Sequence, residues 1–207
     1  MKYPPQHHQE ANFENIINTI KTFPLATVIS VRDGKPLITH LPVVYEANDG
    51  LGKLIAHIDR VNPQCELLQD DNLCTVIFNG PDTYISPSIY TTSQLPTYNY
   101  IKVHLEGKCT AITKTEDVKK SMVKMTEFLE GDAQKFKLDI NDERMDKYVN
   151  YIMGFEIEIT SWEGKYKLSQ DKSTPDFDQA REALLHNHQS KMQNYLDAIY
   201  AQHSTKN

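Results

Sequence analysis

The chain has 207 residues, 39% of them apolar and 24% charged, enough for one domain of good size or two small ones. Its formal net charge of -6 excludes the globally basic surface of a protein that wraps nucleic acid, so any DNA contact would need a local patch or a partner. The apolar runs, such as 24–31, are too short to cross a bilayer. Cys65, Cys74 and Cys109, odd in number and in no CxxC pair, argue against a disulfide framework or a cysteine zinc site.

Residues 1–8 hold Pro4-Pro5 and His7-His8 but no apolar stretch, so no secretory signal is read and the cytoplasm is the expected compartment. Asn12 reads as the N-cap of a short helix carrying Phe13, Ile16, Ile17 and Ile20, which Pro24 closes. A β-rich block follows. Residues 25–31 are rich in β-branched side chains, Asp33-Gly34 turns them, and 36–45 return as a second strand. Asn48-Asp49-Gly50 turns again into a strand over 53–58. Asn62-Pro63 opens a short helix to Leu68, and 74–78 form a strand that ends at Asn79-Gly80-Pro81. Residues 84–86 extend that strand or begin the next, and 100–113 read as another.

The pattern then turns helical. Thr115, with Glu116 and Asp117 behind it, is expected to cap a helix through Leu129, and a second helix is expected near 142–152. Residues 155–160 alternate as a strand, Gly164 is expected to turn it, and 166–168 to pair back. Asp176 or Asp178 is expected to begin a long terminal helix with Leu184, Leu185, Met192, Leu196 and Ile199. The boundary is set at 175: a domain over 1–175, then a helix over 176–207 packed on or between barrels. Strands that follow strands without helical crossovers point to an α+β barrel. The phosphate loops GxGxxG and GxxxxGK[ST] are absent, and the loose Gly50-Leu51-Gly52 sits in a hairpin.

Five segments carry a resemblance: GKPLITHLP (34–42), KLIAHIDRVNPQ (53–64), FNGPDTYISPSIY (78–90), LPTYNYIKVH (95–104), and GFEI (154–157) followed by GKYKLSQ (164–170). In this order and spacing they resemble the PaiB-type FMN-binding negative transcriptional regulators. The resemblance implies an FMN-binding split β-barrel of the pyridoxamine-phosphate-oxidase type, a homodimer with flavin between subunits, and negative control of protease production and sporulation. The chain departs from the family in having Ile89 and Tyr98 in place of Trp, and Asp171 in place of Asn.

A flavin phosphate seeks Arg, Lys, hydroxyls and N–H groups, and its ring needs an apolar slot with a few polar groups. The strand-to-helix turn His57-Ile58-Asp59-Arg60-Val61-Asn62 suits the phosphate: Arg60 and His57 would add donors, a helix N-terminus would offer free N–H groups, and Asn62 would bond or cap. Thr39 and His40 lie on the strand that the resemblance sets against the ring, but as neighbours they face opposite sides. Tyr98 and Asn99 would pack on the flavin, or line a core or dimer interface. Lys167 and Gln170, by resemblance, complete the site, and Lys165 is read as a solvated strand tip. His186 and His188 are two apart on a helix and cannot share a metal, so no metal site is expected. Other functions open to such a chain are an FMN-dependent oxidoreductase, a haem-binding split barrel, and a dimer that has lost its ligand.

Overall fold

The computed structural model describes residues 4–186. Of the terminal-helix residues named above, Met192, Leu196 and Ile199, with His188, lie outside that range. In chain order the strands among the described residues are β1 (Gln9–Glu10), β2 (Leu25–Arg32), β3 (Lys35–Pro42), β4 (Val44–Glu46), β5 (Lys53–Asp59), β6 (Asn72–Ile85), β7 (Thr97–Ile112) and β8 (Ile152–Lys167). The helices are α1 (Phe13–Thr22), α2 (Thr115–Glu130) and α3 (Glu143–Tyr148), and a further helix begins at 174 and continues to 186. Two compact units divide the chain. The larger holds 11–79 and 102–164; the smaller holds 4–10, 80–101 and 165–186 of the described residues.

In the larger unit, Asn12 caps α1 as its sequence suggests, its Oδ1 accepting the Glu14 N–H at 3.0 Å. Ile16, Ile17 and Ile20 face inward. Asp33 and Gly34 both take positive φ, +51° and +74°, the geometry of a two-residue hairpin turn between β2 and β3. The second strand of that hairpin stops at Pro42, earlier than expected. The Val43 N–H turns back to Pro24 O at 3.0 Å, and β4 pairs with β5 instead. The main path of the sheet runs β3-β2-β6-β7-β8-β5-β4. It curls without closing: among the described residues no ladder joins β3 to β4. This is an α+β split barrel, as the resemblance implied.

Its core is apolar. Val28, Leu54, Ala56, Val76, Phe78, Leu105, Phe155 and Ile157 are buried strand positions. Gly107 lets β7 and β8 close up; a Cβ there would meet Ile157 Cγ2 at 2.4 Å and Glu158 O at 2.6 Å. Lys114, not Thr115, occupies the N-cap of α2 and makes no side-chain capping bond; Thr115 is the first helical residue. Asp142 does cap α3, accepting the Arg144 N–H at 2.9 Å, but that helix ends at Tyr148 because β8 begins four residues later.

Two expected turns differ. Gly80-Pro81 does not end β6, which runs on to Ile85, and Gly164 does not turn β8, a single strand of 16 residues. Gly80 is a close-approach glycine: a Cβ would lie 2.8 Å from Ile101 Cβ. In the smaller unit the last described helix starts at 174, two residues before Asp176. Ser173 O accepts its first i+4 bond, from the Phe177 N–H at 2.8 Å, and Pro175 lies in the first turn, where no N–H is needed.

Candidate functional site

In the larger unit the segment after β5 folds back across the open side of the curled sheet. Asn62 is its pivot. Its Oδ1 accepts the Gln64 N–H at 2.9 Å, and its Nδ2 donates to Thr39 Oγ1 on β3 at 3.0 Å. Gln64 is fully buried and donates from Nε2 to Val28 O at 3.2 Å and Ser30 Oγ at 3.1 Å on β2. Arg32 closes the same turn from outside, reaching Glu66 at 2.7 Å and Pro63 O at 3.2 Å. The barrel is thus stitched by side chains where the strand ladder is missing. Gln64 Oε1 stays buried with no partner among the described residues.

The expected helix here is a five-residue 3-10 turn, Pro63–Leu67, and its N–H groups are not free. Arg60 N–H goes to Tyr151 O at 2.9 Å, Val61 N–H to Asp59 Oδ1 at 3.0 Å and Asn62 N–H to Asp59 O at 2.9 Å. Pro63 has none, Gln64 N–H goes to Asn62 Oδ1, and Cys65 N–H to Asn62 O at 3.1 Å. The donor left for an anion is the Arg60 guanidinium, exposed and without a hydrogen bond or ion pair to any described residue. What this turn offers an anion is therefore a side chain and not the backbone.

His57 points elsewhere. Its Nε2 lies 2.8 Å from Ser121 Oγ on α2, and the Ser121 hydroxyl donates to Val118 O at 2.7 Å. One hydroxyl proton cannot serve both bonds, so His57 Nε2–H is the donor to Ser121. Burial pushes the His57 pKa down to about 4, which keeps the ring neutral. Its N–H therefore holds β5 to α2.

Thr39 and His40 take opposite faces, as alternation requires. Thr39 meets Asn62, while His40 Nδ1 lies 3.1 Å from Thr27 Oγ1 on the outward side of β2. That outward side is apolar: Leu25, Val31, Ile38 and Leu73 are 62%, 61%, 56% and 68% exposed.

The remaining candidates belong to the smaller unit. Tyr98 is half exposed and its hydroxyl donates to Asp82 at 3.1 Å, a bond that raises the phenol's pKa. Asn99, one position on, is buried and exchanges hydrogen bonds with Ser169 at 3.0 and 3.2 Å. Tyr90 adds a third contact to Ser169 at 3.2 Å. Gln170 is spent on its own turn, accepting the Leu168 N–H at 2.7 Å and donating to Tyr166 O. Lys167 lines a cavity of about 290 Å³ together with His7, His8, Thr97, Asp171 and Lys172. Ser169 and the two histidines escaped the sequence reading. The serine's cue was the KLSQ block, where it adopts φ +66°; the histidines stand some 160 positions from Lys167 and gave none.

A family described as "Putative FMN-binding domain" matches residues 2–161. The protease synthase and sporulation protein PAI 2 of Bacillus subtilis is 28% identical over 176 residues, covering 84% of this chain and 85% of that protein. The FAD and heme binding protein of Mycobacterium smegmatis superposes with a TM-score of 0.62 at 17% identity, over 85% of this chain and 80% of its own. The flavocytochrome Anf3 of Azotobacter vinelandii gives 0.58 at 15% identity, over 83% and 75%. At these identities the two structures share the fold alone.

Proposed function

The chain belongs to the "Putative FMN-binding domain" family, and from that premise we propose that it is an FMN-binding regulatory protein of the PaiB type, acting as a cytoplasmic homodimer. The observation that carries the flavin reading is the unpartnered Arg60 guanidinium beside the Thr39–Asn62 bond. Arg60 takes the phosphate, and Asn62 and Thr39 fix the turn that presents it. A bound flavin would supply electron-transfer chemistry; the protein's part is to bind and orient it. Tyr98, Asn99 and Gln170 serve the smaller unit's framework. Regulation rests on likeness to PAI 2, and a role at DNA rests on that resemblance alone.

Homodimer formation is supported by the outward face of β2, β3 and β6, where four large apolar side chains stand more than half exposed. A second copy covers this face, and His40 lies on it.

FMN titration followed by visible absorbance tests the ligand. Arg60→Ala is expected to weaken binding by roughly tenfold to a hundredfold, the worth of one charge-assisted bond, at unchanged stability. Equal affinity in wild type and variant, or none in either, sinks the assignment. Sedimentation of Ile38→Lys tests the dimer; the expected result is a folded monomer, and an unchanged dimer removes this face from the interface.

A further inference from the structure

We propose that the cavity of the smaller unit lined by His7, His8 and Lys167 is a pH-gated site for a phosphate-sized oxyanion, free or carried by a small molecule. The site is cationic by elimination among its neighbours. Lys172 is neutralised by Asp171 at 2.8 Å. Lys165 lies over the Tyr100 ring, 5.3 Å from its centroid. The Lys167 ammonium makes no hydrogen bond or ion pair with a described residue, yet Lys167 lines the cavity with His7, His8 and Thr97. A volume of about 290 Å³ stands at the lower end of ligand cavities, room for an oxyanion and a small organic body.

His8 makes it titratable. The rings of His7 and His8 meet edge-on with centroids 4.0 Å apart. Among the described residues, burial, then His7, Lys167 and Lys165, hold the His8 pKa below the ordinary histidine value, and Asp171 opposes them. An anion reverses that balance, because its charge offsets the mutual repulsion of the cations. Binding and protonation therefore help each other, and affinity rises as pH falls through the ordinary histidine range.

Sulfate is the probe of choice, since it stays a dianion throughout that range. Histidine ring protons followed by NMR during sulfate titration are expected to show saturable shifts in His7 and His8. Affinity should rise roughly tenfold between about pH 7.5 and about pH 5.5. Lys167→Ala should abolish binding, His8→Gln should flatten the pH dependence, and Arg60→Ala should leave both unchanged. Inorganic phosphate and glycerol phosphate, compared at one pH, separate a free anion from a carried one. Sulfate binding that survives Lys167→Ala, or shifts that never saturate, overturn the proposal. FMN binding lost along with sulfate in Lys167→Ala would merge this cavity with the flavin site and overturn it as a separate one.

Discussion

The two units of this chain are held together by different physics. The larger is an apolar core: of the buried aliphatic and aromatic side chains among the described residues, all but Ile85 and Ala180 belong to it. The smaller is tied by polar knots. Asn99, Ser169 and Tyr90 form one. In the other, the buried Asp176 carboxylate accepts the Thr91 N–H at 2.6 Å, the Thr91 hydroxyl at 2.8 Å and the Thr92 hydroxyl. Apolar burial tolerates small shifts but responds to lost volume, whereas polar knots respond to a single missing partner. Asp176 or Asp178 was expected to begin a helix; the helix starts at 174, and Asp176 in its first turn anchors the 91–92 loop.

The sharpest way to break this comparison is Phe155→Ala. Phe155 is fully buried opposite Ala56, so the variant should lose about 3–5 kcal/mol in chemical denaturation. A loss under about 1 kcal/mol would mean the larger unit does not depend on its core. Acid should come next. His57 is neutral when folded and takes a proton only near pH 4, whereas the unfolded chain takes it near 6.5. Its contribution is intact above about pH 6.5 and drains as pH falls toward 4, by up to about 3 kcal/mol. His57→Gln keeps an N–H for Ser121 and should flatten the slope over that window; an unchanged slope would assign acid sensitivity to another group. Asp176 should not add to it, because the Thr92 and Thr91 bonds hold its pKa below the usual carboxylate range. The smallest effect is Asn99→Ala, expected to cost about 1–3 kcal/mol by leaving the Ser169 hydroxyl without both of its bonds to Asn99. Hydrogen exchange should place that loss within 80–101 and 165–186. Loss spread evenly over both units would dissolve the distinction.

Much of the fold was legible because its signals are local. Asn12 caps α1, Asp33-Gly34 turns β2 into β3, and alternation in 25–31 sends Ala26, Val28 and Ser30 inward, all readable within a few residues. The family could be read from motif order. The turn at 57–64 was located correctly, but its chemistry was not: its N–H groups looked free until Tyr151 O, 91 residues on, claimed one and Asp59 two. His57 looked like a ligand group until α2 supplied Ser121.

Period-two patterning and turn signals by themselves pointed to an α+β barrel, because strand faces and hairpin turns are set by near neighbours, and the split barrel of this family was implied by the resemblance that five ordered motifs carry. Tertiary structure alone decided that Gly80 and Gly164 sit inside strands, and that His7, His8 and Lys167 share one cavity. A glycine's role depends on what packs over its missing Cβ, and a charge's role on which partners reach it. Both are supplied by segments far away in the chain.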